Sequence, residues 1–284
     1  GCSGIILANI LFLSSPKKWV LSKIPVSLNI FLNSKFLKFR ILIGVCFDFA
    51  QYTKKNKMPL KVKRHFFIHY SFHQMARWNS QLLDSLKINK SIILGHSMGG
   101  MLATRFALLF PEKTEKLVLE NPIGLEDYRA FVPYVSTEQQ YKSELKTTAE
   151  SVKKYYQNSY FTTWKPEYDE LVEIAGGVTF SADYPRWAKV AALTFTMIYE
   201  QPVVHEFVNI KAPTLLLIGK EDKTIVGKGL LNAEDQKKYG QYKVLGKTTA
   251  AKIQGAKLIE FEGVGHIPHL EKPEDFFKAL LENL

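Results

Sequence analysis

The chain has 284 residues, is 46% hydrophobic and carries a formal net charge of +11. This length and apolar content predict one globular core with room for an inserted segment, and exclude a chain that is disordered throughout. The first 66 residues hold ten Lys and two Arg against a single acid, Asp48, which accounts for the whole excess of positive charge. The remaining residues balance at 26 basic and 26 acidic, so the charge pattern argues against a nucleic-acid-binding surface.

The apolar runs near the N-terminus argue against a membrane segment. Gly4–Leu13 is too short to cross a bilayer, and no basic region precedes it as in a signal peptide. Three basic residues interrupt the next apolar run, namely Lys35, Lys38 and Arg40. Cys2 and Cys46 are the only cysteines, so the sequence predicts no disulfide framework and no metal cluster, and nothing in it indicates a bound cofactor.

Residues 1–66 differ in composition from the rest of the chain. They are rich in Ile, Leu, Phe, Lys, Asn and Ser, begin without methionine and show no clear hydrophobic period. We predict a helix over Ile5–Leu13 and a strand over Phe39–Val45. Our interpretation is that this stretch is truncated and partly mistranslated, with few contacts to the sheet and an exposed strand edge. The alternative is a genuinely divergent N-terminal segment.

A different pattern begins at Tyr70, where the sequence contains a helix start. Ser71 suits an N-cap, and Gln74 stands three residues later, which is the spacing of a capping box. The apolar spacing after it predicts a helix that runs to about Leu86.

The most informative stretch is Ser91–Gly100, which contains a Gly-x-Ser-x-Gly sequence between two apolar segments. Ile92–Leu94 is too short for a helix and predicts a buried strand, whereas Met101–Phe110 predicts a helix that stops before the next proline. Strand, tight turn and helix in this order would place Ser97 above the sheet in a strained backbone conformation, with the motif glycines leaving room for the neighbouring chain. Ser97 is therefore the candidate nucleophile.

Strands and helices alternate through the rest of the chain. Further strands are predicted over Leu117–Asn121, Thr214–Gly219 and Lys257–Glu262, and Pro273 marks the start of a final helix. The segment 124–209 is rich in aromatic residues and shows no strand, which predicts a helical insertion packed mainly around its own aromatic core, with a few aromatic residues lining a pocket. The predicted fold class is α/β, with a mostly parallel central sheet, helices on both faces, an inserted helical cap, and N-terminal strands that are missing or aberrant.

A histidine and an acid occur in the positions that a Ser-His-acid triad needs on this kind of sheet. His266 lies in a glycine-rich loop after the last predicted strand and is the candidate base. His269, three residues later, fits better as a surface histidine that bonds to the backbone. Asp222 follows the preceding strand and is the candidate for the acid that orients the base.

Three other acids remain open for that role. Glu221 adjoins Asp222, and Glu120 and Asp127 follow an earlier strand, from which a carboxylate can also reach the imidazole. A buried acid without a partner is unfavourable, so the true member should be hydrogen-bonded to His266.

Together these motifs resemble the α/β-hydrolase fold superfamily, within its cap-bearing group of esterases, carbon–carbon bond hydrolases and proline-iminopeptidase-like enzymes. The runs that carry the resemblance are Gly95–Gly100, Leu117–Tyr128, Pro213–Asp222 and Gly265–Glu271. The resemblance begins at about Tyr70 and implies a core of residues 67–123 and 209–284 with a cap over residues 124–208. Dehalogenases and epoxide hydrolases of this superfamily use an aspartate in place of Ser97, so the resemblance argues against those chemistries.

The resemblance also implies an oxyanion hole. One donor is the backbone N–H of Met98, the residue after the nucleophile, and the family takes the other from a His-Gly loop after an earlier strand. No His-Gly precedes Ser97, and the family's Asp-x-x-Gly-x-Gly-x-Ser sequence is absent too. We therefore expect half of the oxyanion hole to be missing, and the loss of one donor costs about 3 to 4 kcal/mol of transition-state stabilisation.

The function predicted from the sequence is that of a serine hydrolase with a small-molecule substrate. It would cleave a small or medium carboxylic ester, or a carbon–carbon bond beside a carbonyl. The competing hypothesis is a catalytically inactive or truncated member that binds a small ligand. A proline-iminopeptidase-like aminopeptidase is a further alternative, and it would need acids in the cap to bind the substrate amine. The acids considered are Glu138, Glu144 and Glu173.

Overall fold

Six strands form one sheet in this protein. The structure, a computed structural model, describes residues 9–14, 40–45 and 70–284. The strands of these ranges are β1 Asn9–Ser14, β2 Arg40–Val45, β3 Ser91–His96, β4 Thr114–Glu120, β5 Thr214–Gly219 and β6 Lys257–Phe261. Their order is β2-β1-β3-β4-β5-β6, and β3 to β6 are parallel, as the sequence predicts.

The two N-terminal strands are antiparallel. β1 lies between β2 and β3 and pairs with both. The predicted strand at Phe39–Val45 is confirmed over Arg40–Val45. The predicted helix at Ile5–Leu13 is wrong from Asn9 onward, because a short apolar run suits either structure and this one pairs its backbone on both sides.

The sequence also predicts few contacts between residues 1–66 and the sheet, and of that stretch Asn9–Ser14 and Arg40–Val45 do belong to the sheet. The other residues of that stretch lie outside the described ranges, and the hypothesis of a mistranslated segment stays a prediction.

Ten α-helices occur within residues 70–284. They are α1 Phe72–Ser85, α2 Met98–Leu109, α3 Thr137–Glu144, α4 Ala149–Tyr155, α5 Asp169–Gly177, α6 Tyr184–Glu200, α7 Ala233–Lys238, α8 Tyr242–Lys252, α9 Pro268–Glu271 and α10 Pro273–Leu281. The final helix begins at the predicted proline. In the part of the chain that the structure describes, no helix combines the length and the apolar character needed to cross a membrane.

Alternation along the strands gives the sheet two apolar faces. In β3, Ile93 belongs to the cluster formed with α1, α2 and α8, whereas Ile92 and Leu94 belong to the cluster on the other face. That second cluster includes Phe276 and Leu280 of α10. Helices therefore cover both faces, and burying each of these large apolar side chains contributes about 1.5 to 3 kcal/mol.

Helix α1 begins where the sequence predicts, but it is capped differently. Ser71 is the N-cap residue and its side chain makes no capping bond, so the predicted capping box with Gln74 is wrong. The N–H of Phe72 donates instead to Gln201 Oε1 over 2.9 Å, and Gln201 Nε2 donates to the carbonyl of Tyr70. Because Gln201 lies 129 residues away, local sequence gives no sign of this cap.

The chain between β4 and β5 is a helical insertion, as predicted. It contains α3 to α6 and a π-helical turn, Tyr156–Tyr160, directly after α4. Its aromatic residues form a buried cluster that includes Phe161 and Tyr168, and this cluster extends to Ile267 in the loop after β6. The insertion therefore shares apolar packing with the loop that carries His266.

Candidate active site

Ser97 occupies the tight turn between β3 and α2. Its φ of 55° and ψ of −125° lie in a region that residues with a side chain rarely adopt. A Cβ added to Gly95 would lie 2.2 Å from the carbonyl oxygen of Gly99, and one added to Gly100 would lie 2.3 Å from Pro122 Cβ. Glycine at positions 95 and 100 therefore allows strand, helix and the chain after β4 to approach this closely.

The backbone of the turn is tied to the end of β4. The N–H of Ser97 donates to the carbonyl of Glu120 over 3.3 Å, and the Ser97 carbonyl accepts the N–H groups of Gly100 and Ile123. No described residue accepts a hydrogen bond from the N–H of Met98. An N–H group in this position at a helix start is a ready donor for an anion, as the oxyanion role predicted for Met98 requires.

Asp222 and His266 form a buried hydrogen-bonded pair. His266 Nδ1 lies 2.6 Å from Asp222 Oδ2, and both side chains are fully buried. A carboxylate on Nδ1 favours the tautomer with its proton there, which leaves the lone pair on Nε2. The second carboxylate oxygen of Asp222 accepts the N–H of Thr224 over 2.8 Å.

The other nitrogen of His266 is unpaired in this structure. His266 Nε2 is buried and has no hydrogen-bond partner, so the predicted contact with Ser97 Oγ is not formed as a hydrogen bond. His96, the residue before Ser97, has its ring centroid 4.8 Å from that of His266, so the nucleophile turn and the histidine loop are neighbours. Catalytic hydrogen bonds are often long before substrate binds.

The other candidate acids have different partners. Glu221 pairs with Lys243 over 3.0 Å, and Asp127 pairs with Arg129 and His205. The structure thus brings Asp222, and not Glu221 or Asp127, to His266.

Glu120 pairs with His269, and this contact corrects the expectation that His269 bonds to the backbone. His269 Nδ1 lies 2.7 Å from Glu120 Oε1, and the N–H of His269 donates to the same oxygen over 3.2 Å. The expectation is wrong because Glu120, the last residue of β4, supplies a buried carboxylate within hydrogen-bond distance of the ring.

Asn121 is a site residue that the sequence analysis did not identify. Its Nδ2 donates to Asp222 Oδ2 over 2.9 Å and to the carbonyl of Gly219, and its Oδ1 accepts the N–H of Gly219 over 2.7 Å. Asn121 has a φ of 34°, which asparagine tolerates better than most residues. The Asn-Pro pair directly after a buried strand was the available signal.

The π-helical turn of the insertion contacts both loops of the candidate triad. The carbonyl of Tyr160 accepts the N–H of His266 over 2.7 Å, and its ring lies 4.4 Å from the imidazole. The carbonyl of Ser159 accepts the N–H of Lys223, the residue after Asp222, over 3.5 Å. Such turns frequently occur at functional sites.

Glu271 joins the insertion to the histidine loop. Its Oε1 accepts the N–H of Gly265 over 2.6 Å, and its Oε2 accepts the N–H and the hydroxyl of Thr162. A Cβ added to Gly265 would lie 2.2 Å from the carbonyl oxygen of Tyr160. The loop can therefore reach the insertion at this distance only because residue 265 is glycine.

Burial controls the protonation of the groups around His266. It lowers the pKa of His96 to about 4, although Glu120 opposes that shift, so His96 is neutral at neutral pH. His96 Nε2 lies 2.9 Å from the carbonyl oxygen of His266 and donates to it. Burial also raises the pKa values of Tyr155 and Tyr160, so these phenols keep their protons.

The three acids considered for binding a substrate amine have different surroundings. Glu138 pairs with Lys142 at the surface, Glu173 is exposed, and Glu144 is buried and accepts from Gln140. Within residues 70–284 and the two described N-terminal strands, no group of three or more His, Cys, Asp or Glu is arranged to hold a metal ion.

The chain matches a known protein family and several solved structures. The family model described as "alpha/beta hydrolase fold" matches residues 43–273. The chain is similar to a solved structure, a probable hydrolytic enzyme from Pseudomonas aeruginosa PAO1, at 44% identity and a TM-score of 0.75, covering 78% of this chain and 71% of that one. It is also similar to Est816, an N-acyl homoserine lactone degrading enzyme, at 20% identity and a TM-score of 0.54, covering 76% of this chain and 75% of that one, which shows the fold alone.

A curated relative, 2-hydroxy-6-oxo-6-phenylhexa-2,4-dienoate hydrolase of Burkholderia cepacia, is 46% identical over 50 residues, 18% of each chain. The chain matches 11 to 21% of the length of such curated relatives.

Proposed function

Because the chain belongs to the alpha/beta hydrolase fold family, we propose that it is a serine hydrolase in which Ser97 is the nucleophile, His266 the base and Asp222 the orienting acid. The substrate is a small or medium carboxylic ester, or a ketone cleaved at the carbon–carbon bond beside its carbonyl. Similarity to a 2-hydroxy-6-oxo-dienoate hydrolase supports including the ketone. The helical insertion, residues 124–208, acts as the cap over this site.

The observation that carries the proposal is the unpaired, buried Nε2 of His266. An imidazole nitrogen without a partner in the interior is unfavourable, so such an atom calls for a functional explanation. The bond to Asp222 leaves the lone pair on this nitrogen, and the ring of His96, the residue before Ser97, has its centroid 4.8 Å from that of His266. This is the arrangement that a general base for a serine hydroxyl needs.

The reaction follows from these positions. His266 Nε2 accepts the proton of Ser97 as Oγ bonds to the substrate carbonyl carbon, and the N–H of Met98 donates to the resulting oxyanion. The imidazolium, stabilised by Asp222, then protonates the leaving alcohol, or the leaving carbon of a ketone, as its bond to the acyl carbon breaks. Water attacks the acyl-enzyme with His266 again as base, which releases the acid and regenerates Ser97.

A fluorophosphonate probe tests the proposal, because it forms a bond to an activated serine oxygen and releases fluoride. We expect the wild-type protein to be labelled, with the adduct located on Ser97 by mass spectrometry, and Ser97→Ala to remain unlabelled. Ser85→Ala is the matched control, since Ser85 is exposed and its hydroxyl bonds only to a helix carbonyl. A folded wild-type protein that is not labelled would identify the chain as an inactive scaffold.

A panel of substrates then separates the bonds that can be cleaved. Para-nitrophenyl esters of two to eight carbons report ester hydrolysis, and an aromatic 1,3-diketone reports carbon–carbon cleavage. Labelling without turnover of either class would reject the substrate part of the proposal and retain the nucleophile.

A further inference from the structure

A second acid and histidine lie next to the proposed triad, and the reaction described above does not use them. Glu120 is 2% exposed, and one of its carboxylate oxygens accepts both the ring Nδ1–H and the backbone N–H of His269. His269 occupies the first turn of α9, three residues after His266. A carboxylate with two donors on one oxygen, at the start of a helix, is a well-defined contact.

The charges of this pair follow from its surroundings. Burial opposes ionisation of Glu120, but the charge and hydrogen bonds of His269 outweigh it and lower the pKa of Glu120. Burial likewise opposes protonation of His269, but the charge and hydrogen bond of Glu120 outweigh it and raise the pKa of His269. The neighbouring His96 is neutral at neutral pH. Between the lowered pKa of Glu120 and the raised pKa of His269, both groups are charged and the contact is an ion pair.

Glu120 contacts both halves of the site. It is the last residue of β4, and its main-chain carbonyl accepts the N–H of Ser97. Its side chain holds His269, in the short helix α9 that directly follows the loop of His266. The ring of His96 contacts both histidines, with its centroid 4.8 Å from that of His266 and 5.7 Å from that of His269. Glu120 thus joins the nucleophile turn to the segment that carries the two histidines.

We propose that Glu120 and His269 are positioning residues that hold the His266 imidazole in reach of Ser97. This inference rests on the proposed function. Neither residue touches the reacting atoms. The ion pair fixes the end of the histidine loop against the strand end that also fixes the serine, so the distance between nucleophile and base depends on it. A displacement on the order of 1 Å between such groups lowers rates by roughly a hundredfold.

The test compares the variants Glu120→Gln and His269→Gln with a control variant that breaks an exposed ion pair in the same part of the chain. The control is Glu262→Gln, which removes a surface contact with Lys220 just before the histidine loop. For each variant, kcat and KM for a para-nitrophenyl ester and the rate of fluorophosphonate labelling of Ser97 are measured, with circular dichroism to verify folding.

We expect each positioning variant to lose roughly ten- to a hundredfold in kcat and in labelling rate, with KM within about twofold of wild type. The double variant should lose no more than either single one, because both changes break the same contact. Glu262→Gln should match wild type. His269 is 29% exposed, so its variant carries the test if Glu120→Gln does not fold.

Three results would overturn the inference: kcat unchanged in folded variants that only lose stability, losses that multiply in the double variant, or losses confined to KM. Each is distinct from failure of the proposed function, in which the wild-type protein itself is neither labelled nor active.

Discussion

Asn121 donates to the same carboxylate oxygen of Asp222 that accepts the Nδ1–H of His266, over 2.9 and 2.6 Å. Two donors on one oxygen fix the orientation of the carboxylate. Asn121 is itself held through Gly219, whose N–H and carbonyl both bond to its side chain. Asn121, directly after β4, thus joins the end of β5 to Asp222, the proposed acid.

Asn121→Asp should disrupt this contact without changing the size of the side chain. The new carboxylate would face Asp222 at hydrogen-bond distance. Two carboxylates this close repel each other when both are ionised. We expect kcat for a para-nitrophenyl ester to fall at least roughly tenfold, with a free energy of unfolding lowered by about 1 to 3 kcal/mol. Asn209→Asp, at an exposed position, is the control and should behave as wild type.

Asp222→Asn should leave a folded protein with a low rate. The amide can no longer favour the imidazole tautomer with its proton on Nδ1, so kcat should fall by about 10³ to 10⁴. Glu221→Gln, which removes only the contact with Lys243, is the control and should keep the wild-type rate. If Asp222→Asn were as fast as wild type, the orienting role would pass to another acid.

Gly265→Ala should separate the histidine loop from the insertion. The added methyl group would lie 2.2 Å from the Tyr160 carbonyl oxygen, which forces the backbone to move and costs about 1 to 3 kcal/mol of stability. Urea denaturation and ester kinetics should therefore both show a loss. Gly177→Ala is the control, because a Cβ there meets nothing within 4 Å and the position is helical. Equal stability and rate for both variants would contradict this account.

Stability should fall as the pH is lowered from 7 to 4.5, with His96 as one cause. Burial lowers the pKa of His96 from 6.5 to about 4, so the unfolded chain binds the proton in this range and the folded chain does not. This histidine alone should remove about 2 kcal/mol from the free energy of unfolding. His96→Gln, which retains a donor towards the His266 carbonyl, should show a pH dependence smaller by that amount in urea denaturation. Parallel curves for the two proteins would rule out the buried neutral histidine.

Much of the fold was predictable because its signals are local. The strand at Thr214–Gly219 has the predicted bounds, and the helix from Pro273 begins at the predicted residue. Both segments combine a clear apolar pattern with a proline or glycine at the boundary. Residues 9–14 lack such a signal, and a short apolar run became a strand through its partners rather than through its own sequence.

The candidate site divides in the same way. The order of serine, acid and histidine along the chain led to Asp222 and His266, which the structure places in contact, whereas the roles of Ser97 and Met98 in catalysis stay predictions. Asn121 and the Glu120–His269 contact depend on which strand ends are neighbours. The capping of α1 by Gln201 depends on packing in the same way. Sequence spacing contains no information on such contacts until the strand order is known.

The carbonyl groups of Ser159 and Tyr160 accept the N–H groups of Lys223 and His266, so the insertion cannot be exchanged with that of a relative without changing these contacts. A chimera that received a foreign insertion would also receive a foreign set of carbonyl groups opposite Lys223 and His266. Such a protein would lose the contacts that support the proposed base, His266, and its rate should fall even for substrates that fit. Alteration of substrate range in this chain should therefore keep residues 156–162 and Glu271 unchanged and vary the surrounding helices.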